Sequence, residues 1–372
     1  MKRMILIILA VCMVLCACSK APAEQTIDNT TTENVTTEQT AETTEATKAT
    51  EETTVPETTE ATVPVVRYRN PLNGEPMEEQ QTARPYAIVI NNIVYAQPLC
   101  SIGQADILFE MLAEGGITRC LAVYSDITGL DHIGAVRSTR PYLVDLASSL
   151  DAIFVHHGGS SDGYNKISEL DVDNLDFLGN AGNVYYRDQD RLNSGYDLEH
   201  TSFADGDDIK EAADDWGYTT EREDGIDYGF AFGDAGSTVV GENAAEIKIA
   251  FGASGKTTAF EYDETLGEYV AEQYDGYMID GNTGEAASFR NVLMIAAETY
   301  DYVKNDISRV HIELIGEGTG YFACDGKIVP IRWSRDSDYE PFVFMHEDGT
   351  LITLGVGSTY IAITPLSGSL EY

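Results

Sequence analysis

The chain has 372 residues, 43% of them hydrophobic, and a formal net charge of −39 at pH 7. This length is enough for one large or two ordinary folded domains. Such an acidic balance argues against nucleic-acid binding, which needs a basic surface, and against docking on anionic lipid head groups. We therefore expect no nucleic-acid partner.

The first eighteen residues have the layout of a bacterial lipoprotein signal. Lys2 and Arg3 precede an apolar run from Met4 to Leu15, which is shorter than the roughly 20 residues that a membrane span needs. Cleavage before Cys18 would leave that thiol at the new N-terminus for lipid attachment, whereas a cut before Cys16 would follow the bulky Leu15. We predict a signal peptide over residues 1–18. Cys18 is retained and carries acyl groups such as palmitate, which anchor the protein in the bilayer on the outer face of the cytoplasmic membrane.

Residues 19–66 are rich in Thr and Glu and contain loose repeats such as Glu42-Thr43-Thr44-Glu45 and Glu57-Thr58-Thr59-Glu60. A segment of this composition cannot bury enough apolar surface to offset its chain entropy. We predict a disordered tether with an r.m.s. reach of about 40 Å.

Strand-like and helix-like segments alternate over residues 67–240. The predicted strands are Tyr86–Ile90, Ile117–Ser125 and Asp151–His156. The predicted helices run from Ser138 or Thr139 to Leu150, from Ser160 or Ser161 to Leu170, and from Asp207 to Trp216. This succession predicts an α/β layer with some parallel strand pairing.

Residues 241–372 instead contain short β-branched or aromatic runs, which predict a mostly antiparallel sheet. The runs are Glu246–Phe251, Thr257–Tyr262, Gly267–Glu272, Phe289–Ala296, Arg309–Ile315, Lys327–Trp333, Phe342–Met345, Thr350–Leu354 and Tyr360–Thr364. Asp325-Gly326 and Asp348-Gly349 are hairpin signals between neighbouring runs. The fold class is therefore α/β to α+β, a layered sandwich. Its domain boundary lies near residues 233–243, with the alternative that both halves share one sandwich.

Four arginines are the only lysine or arginine side chains between residues 84 and 165: Arg84, Arg119, Arg137 and Arg140. The planar guanidinium group suits partly buried pairing with carboxylate or phosphate. Two readings stay open at this point. The arginines form an anion-binding cleft, or they pair with the protein's own acids, such as Glu110 and Glu114.

The segment His156-His157-Gly158-Gly159-Ser160-Ser161 leads from a predicted strand into a predicted helix. A glycine-rich turn at a helix N-terminus offers backbone N–H groups to an anion. We therefore assign the candidate anion site to Arg84, Arg119, Arg137, Ser138, Arg140, His157, Gly158, Gly159 and Ser160. The candidate catalytic residues are His157 and Glu110, and we expect no metal and no cofactor.

Two further motifs are discounted. Ala250-Phe251-Gly252-Ala253-Ser254-Gly255-Lys256-Thr257 fits a relaxed phosphate-loop pattern, but the alternation that follows it predicts a strand rather than the helix such a loop needs. The acidic run Asp171–Asp176 lacks the turn glycine and the distal glutamate of a calcium loop. Cys100, Cys120 and Cys324, an odd and sparse set, do not predict a disulfide framework.

Five motifs in order resemble the YerB-like family of bacterial lipoproteins. They are Ala83-Arg84-Pro85, Gln104–Glu110, Gly115–Arg119, Val136–Arg140 and His157–Ser160, with further likeness at Asn291-Val292, Gly318-Thr319-Gly320, Asp325-Gly326-Lys327 and Tyr360-Ile361-Ala362. The resemblance implies a layered α/β sandwich with a smaller C-terminal domain, on a lipid-anchored extracytoplasmic protein. It implies no catalytic residues. The chain departs from the family at Glu199-His200-Thr201, where members often have Pro-His-Asn, so the resemblance assigns no shared role to His200.

The leading hypothesis is an extracytoplasmic lipoprotein that binds an anionic ligand, or a cell-wall or envelope protein partner, without turnover. The alternative is a cell-envelope hydrolase, with His157 as acid or base and Arg137 and Arg140 holding the anion. A third hypothesis is an interaction platform formed by the β-rich half.

Overall fold

The structure is a computed structural model that describes residues 68–222, 226–234, 236, 238 and 240–372. The predicted signal peptide, Cys18 and the predicted tether lie outside these residues.

Four α-helices are present in the described residues: α1 Pro141–Ser149, α2 Ser161–Leu170, α3 Gln189–Asn193 and α4 Gly206–Asp215. The strands of the first half are β1 Tyr68–Arg69, β2 Pro76–Met77, β3 Tyr86–Asn92, β4 Ile107–Leu112, β5 Thr118–Tyr124, β6 Ile133–Gly134, β7 Ile153–His156, β8 Asn174–Asp176, β9 Tyr186–Arg187, β10 Ser202–Ala204 and β11 Phe232–Gly233.

The strands of the second half are β12 Glu242–Asn243, β13 Glu246–Ala250, β14 Thr257–Asp263, β15 Glu268–Gln273, β16 Gly276–Tyr277, β17 Ser288–Phe289, β18 Asn291–Ala297, β19 Thr299–Lys304, β20 Ile307–Ile312, β21 Gly316–Cys324, β22 Lys327–Arg335, β23 Val343–Met345, β24 Leu354–Gly355, β25 Thr359–Pro365 and β26 Ser369–Glu371.

One large mixed sheet runs through both halves of the sequence. Its order is β12-β22-β21-β18-β25-β4-β5-β3-β7-β8, with β23 paired to β22. The halves join where β25 pairs in parallel with β4, as Ile361 does with Phe109. Residues 63–372 form one compact unit. The predicted domain boundary near residues 233–243 therefore lies between two halves of the sequence that both contribute strands to the large sheet.

The large sheet is covered on both faces. Along β3, Ala87 and Val89 pack into a core with α1 and α2, while Ile88 and Ile90 pack into a second core with β13, β14 and α4. A second sheet, ordered β16-β15-β14-β13-β26 with β17 paired to β15, forms part of the second layer. Because both faces of β3 are buried, it is apolar throughout its first five residues. The architecture confirms the predicted layered α/β to α+β sandwich.

Several local predictions differ from the structure. Helix α1 is capped by Arg140 rather than Ser138 or Thr139, because the backbone of Thr139 is extended and bonded to the segment around Gly159. The run Thr350–Leu354 is not one strand, and only its last residue enters β24. The acidic run that ends at Asp176 contributes β8 rather than only a loop.

Candidate functional site

Two chain segments run side by side and bring most of the predicted site residues together. The backbone N–H of His157 donates to the carbonyl of Arg137 at 3.0 Å, and that of Thr139 donates to the carbonyl of Gly158 at 2.9 Å. The Ser138 hydroxyl also donates to the His157 carbonyl, at 3.0 Å. These bonds lock the segment before α1 to the segment before α2.

A cleft of about 440 Å³ opens beside this junction; we call it the arginine cleft. Its lining consists of Val136, Arg137, Ser138, His157, Leu178, Arg187, Asp197, Leu198, Glu199 and Ser202. Three of the predicted site residues thus line one cleft, and they do so with a second arginine that was not predicted.

The His157 ring has both nitrogens engaged. Nδ1 lies 2.6 Å from Oγ of Ser202, and Nε2 lies 3.2 Å from Nη2 of Arg187. A guanidinium group can only donate, so Nε2 accepts, and the neutral ring carries its proton on Nδ1 and donates it to Ser202. Burial, followed by the charge of Arg187, lowers the pKa of His157 to about 4. The ring is therefore neutral at pH 7.

Arg137 is paired with an acid on the rim of the cleft. Its Nη2 lies 3.0 Å from Oε2 of Glu199, whose side chain is 52% exposed. The buried Nε of Arg137 has no hydrogen-bond partner among the described residues. An exposed carboxylate on a guanidinium group is weakly held, since solvent screens the pair. Another anion can therefore replace Glu199 on the Nη atoms of Arg137.

Arg119 and Arg140 lie behind this surface. Arg140 forms a two-pronged pair with Glu114, at 2.6 Å from Nε to Oε1 and 2.8 Å from Nη2 to Oε2. Arg119 is 3% exposed, donates to the Ser138 carbonyl at 2.7 Å, and takes part in none of the ion pairs of the described residues. Burial, then the nearby charges of Arg140 and Arg137, lowers its pKa to about 10. Arg119 stays charged at pH 7, so it adds positive potential beneath Ser138.

Arg84 does not join the other three arginines. It precedes β3, whereas Arg119 on β5 is paired with Asn91 at the far end of that strand. Its side chain is held by Asp173 at 2.6 Å and Asp151 at 3.2 Å. For Arg84 the structure thus favours the internal-pairing reading, and we remove it from the candidate site.

Glu110, a predicted catalytic residue, also lies elsewhere. Its carboxylate is completely buried between the large sheet and the second sheet, 3.3 Å from Nζ of Lys256. It accepts hydrogen bonds from a ring of side chains: Asn92, Thr118, Thr258, Gln273 and Tyr360. Because none of these residues contacts the His157 side chain, the structure does not support an acid–base pair between His157 and Glu110.

Lys256 belongs to the sequence that fits a phosphate loop. The strand β14 follows it directly, as expected from the alternation of that segment. Its ammonium group faces Glu110 and the Tyr274 ring instead of an open loop.

The glycine turn is occupied by internal bonds rather than open to an anion. The N–H of Gly158 donates to Oδ1 of Asp176 at 2.8 Å, and that of Ser160 donates to the carbonyl of Thr139 at 3.2 Å. Ser160 caps α2 as predicted, and its hydroxyl accepts from the N–H of Gly163. Gly158, Gly159 and Ser160 therefore lie beside the cleft without donating to it, and the side chains of Arg137 and Arg187 supply its charged donors.

The other two histidines near the cleft have structural partners. The buried His156 ring bonds to the carbonyl of Gly158 at 2.9 Å and to Asn174 at 3.2 Å. His200 bonds to the Asn91 amide at 2.9 Å. In the part of the chain that the structure describes, no group of three or more His, Cys, Asp or Glu side chains could hold a metal ion. The three cysteines in that part are buried and free.

Two domain models of one protein family match this chain. Residues 72–219 match the N-terminal domain, and residues 247–361 the C-terminal domain, of a family described as protein of unknown function DUF3048. A relative from Bacillus subtilis (strain 168), named "Putative lipoprotein YerB", is 28% identical over 301 residues, which are 80% of this chain and 87% of the relative. The chain belongs to the YerB-like family. A crystal structure of the YerB protein from Bacillus subtilis is also similar, with a TM-score of 0.71 and 27% identity over 82% of this chain and 99% of that one.

Two residues of the arginine cleft in this YerB-like protein were not found from the sequence. Arg187 lies on β9 and Ser202 on β10, and these strands pair antiparallel with Arg187 opposite Ser202. Both side chains reach His157 from more than 25 positions away in the chain. Only the run Tyr185-Tyr186-Arg187 carries a local signal, an arginine at the end of an aromatic strand.

In the described ranges, no helix has both the length and the apolar character needed to cross a membrane.

Proposed function

We propose that this protein is a lipid-anchored, extracytoplasmic protein that binds an anionic ligand, or an anionic group of an envelope partner, in the arginine cleft without turning it over. One observation carries the proposal. The guanidinium groups of Arg137 and Arg187 and the neutral imidazole of His157 line a single cleft, and the acid paired with Arg137, Glu199, is exposed on its rim.

The charge distribution supports an anion at this place. The molecule carries a net charge of −39, yet Arg137 and Arg187 face the cleft with Arg119 behind them. Arginines gathered at one cleft of so acidic a protein favour an anion at that spot. Charge-assisted bonds from arginine are also the stronger class of hydrogen bond.

The hydrogen bonds of His157 favour binding over general base catalysis. The lone pair of Nε2 accepts from Arg187, and Nδ1–H donates to Ser202. A base would need a free lone pair directed at a substrate or at the Ser202 hydroxyl. The arrangement instead fixes the ring as a neutral wall of the cleft.

The anchor in the proposal comes from two sources. The first eighteen residues have the pattern of a lipoprotein signal that ends at Cys18, and the Bacillus subtilis relative is named a lipoprotein. An anchored protein with an acidic spacer would hold its cleft outside the cytoplasmic membrane, where envelope components are available.

Calorimetric titration of acetate and of inorganic phosphate tests the cleft. The protein is the mature chain, residues 18–372, with Cys18→Ser so that acyl groups are absent. Combined Arg137→Ala and Arg187→Ala substitutions should weaken anion binding at least ten- to a hundredfold, since one charged hydrogen bond contributes about 1.5–3 kcal/mol. Glu199→Gln should strengthen binding, because it frees Arg137.

The matched control is Arg332→Ala. It removes an exposed arginine that pairs with Glu317 and does not line the arginine cleft. It should leave anion binding unchanged. The proposal is wrong if wild type binds neither anion, or if the Arg332 variant loses binding as much as the cleft variant.

Metabolic labelling with alkyne-tagged palmitate tests the anchor. Cys18→Ser should abolish labelling of the full-length chain in bacterial cells, whereas Cys16→Ser should not. Equal labelling of both variants would contradict attachment at Cys18.

A further inference from the structure

Two exposed leucines lie at the arginine cleft. Five leucines of the described residues are exposed: Leu178, Leu198, Leu266, Leu351 and Leu366. Two of them, Leu178 at 65% and Leu198 at 60% exposure, line this one cleft. Single exposed leucines need no explanation, but two beside a set of charged donors point to a ligand with an apolar part.

We propose that the ligand of the arginine cleft is an amphipathic monoanion: one singly charged head on the arginines, joined to an apolar chain that lies against Leu178 and Leu198. This inference rests on the proposed function and adds the ligand class to it.

The backbone of Leu178 is held beside the glycine turn. Oδ1 of Asp176 accepts from the N–H of Leu178 at 2.9 Å and from the N–H of Gly158 at 2.8 Å. The Leu178 side chain lies so close to Gly158 that a Cβ built there would be 2.8 Å from Cδ1 of the leucine. An apolar surface ordered before binding adds to affinity because little entropy is lost when the ligand arrives.

Leu198 is held by the same arginine that bonds His157. Nη1 of Arg187 donates to the Leu198 carbonyl at 2.8 Å, while its Nη2 reaches the His157 ring. The hydroxyl of Thr201 donates to the same carbonyl at 2.8 Å. The backbone that carries Leu198 is therefore joined directly to the arginine that bonds His157.

The acids of the cleft argue for a single negative charge on the ligand. Asp197 and Glu199 lie on the rim, so a head with two or three charges would meet like charges there. One carboxylate already lies on Arg137, that of Glu199, and its chain neighbour is Leu198. The protein thus places beside the cleft a carboxylate next to an apolar side chain, the same pair of groups that we assign to the ligand.

The test is a titration series on the Cys18→Ser chain, residues 18–372, with acetate, butanoate and hexanoate. Hexyl phosphate serves as the dianionic head and hexanamide as the neutral head. Affinity should rise by up to about fourfold for each methylene group buried. Hexanoate should bind more tightly than both hexyl phosphate and hexanamide.

Leu178→Ser and Leu198→Ser supply the second arm. Both side chains are exposed, so neither variant should unfold the protein, and urea unfolding checks this. The variants should lose most of the gain in affinity from acetate to hexanoate. Leu266→Ser, at an exposed leucine outside the cleft, is the control and should keep that gain.

The outcomes separate this inference from the proposed function. If acetate and hexanoate bind equally and both depend on Arg137, anion binding stands and the amphipathic ligand is refuted. A chain-length gain that survives both leucine variants also refutes it, as does tighter binding of hexyl phosphate than of hexanoate. If no anion binds, the proposed function fails and this inference fails with it.

Discussion

Replacement of Lys256 by Met tests how strongly one buried ion pair joins the two sheets. Lys256, just before β14 of the second sheet, reaches Glu110 on β4 of the large sheet, and their side chains are 5% and 0% exposed. Methionine has a similar length and no charge, so it keeps most of the packing while it removes the partner of a buried carboxylate.

The expected loss follows from what remains around Glu110. Removal of one partner of a buried ion pair typically costs about 3–5 kcal/mol, because the other charge stays buried. Thr118 and Thr258 still donate to the carboxylate, at 2.5 and 2.6 Å. These neutral donors soften the loss, so we expect the lower end, about 3 kcal/mol in the free energy of unfolding.

Urea unfolding of the Cys18→Ser chain, residues 18–372, measures this difference. The double variant Lys256→Met with Glu110→Gln should be less destabilised than Lys256→Met alone, since no unpaired charge is left. The control Lys210→Met removes an exposed lysine paired with Asp126 and should change stability by less than about 1 kcal/mol. If Lys256→Met falls within the range of this control, the ion pair does not hold the sheets together.

Three further predictions concern the arginine cleft. The His157 ring should titrate near pH 4 by NMR, and Arg187→Ala should raise that pKa toward its ordinary value. The folded pKa of His157 lies below the unfolded value of about 6.5. The stability gained from the neutral ring should therefore be lost as pH falls from about 6.5 through the folded pKa. A flat urea midpoint over that range would contradict this. Gly158→Ala should cost about 1–2 kcal/mol in urea unfolding, since a non-glycine residue is strained in the left-handed region where Gly158 has φ +71°; an unchanged midpoint would refute it. Asp176→Asn should cost about 1–3 kcal/mol, because the carboxylate accepts from Gly158, Leu178 and the Tyr164 hydroxyl. A loss below about 0.5 kcal/mol, the usual range of surface substitutions, would show that water replaces those bonds.

Local patterns predicted many elements well. The apolar run from Tyr86 forms β3, Asp325-Gly326 joins β21 to β22, and Ser160 caps α2. Each of these features depends on residues within a few positions of one another, so short-range sterics and hydrogen bonding determine them. The strand β4 was missed as an element, although its residues belong to one of the family motifs.

The acidic partners of the arginines could not be predicted in the same way. Arg84 and Arg137 are the same residue type in similar turn contexts, yet Arg84 is held by Asp173, 89 positions away, and Arg137 by Glu199, 62 positions away. Among so many acids, the sequence offers no means to choose the partner. The same holds for Glu110, whose partner Thr258 is 148 positions away.

By itself the sequence determined the sandwich class, several of the longer strands such as β3, β5 and β18, three of the four α-helices, and the family resemblance. Only the tertiary structure decided that Arg84 and Glu110 lie outside the candidate site. It also decided that the arginine cleft is lined by Arg187, Ser202, Leu178 and Leu198. The physical reason is range: backbone propensity and alternation act over a few residues, whereas the partner of a buried charge is chosen by which distant strands the sheet order places side by side.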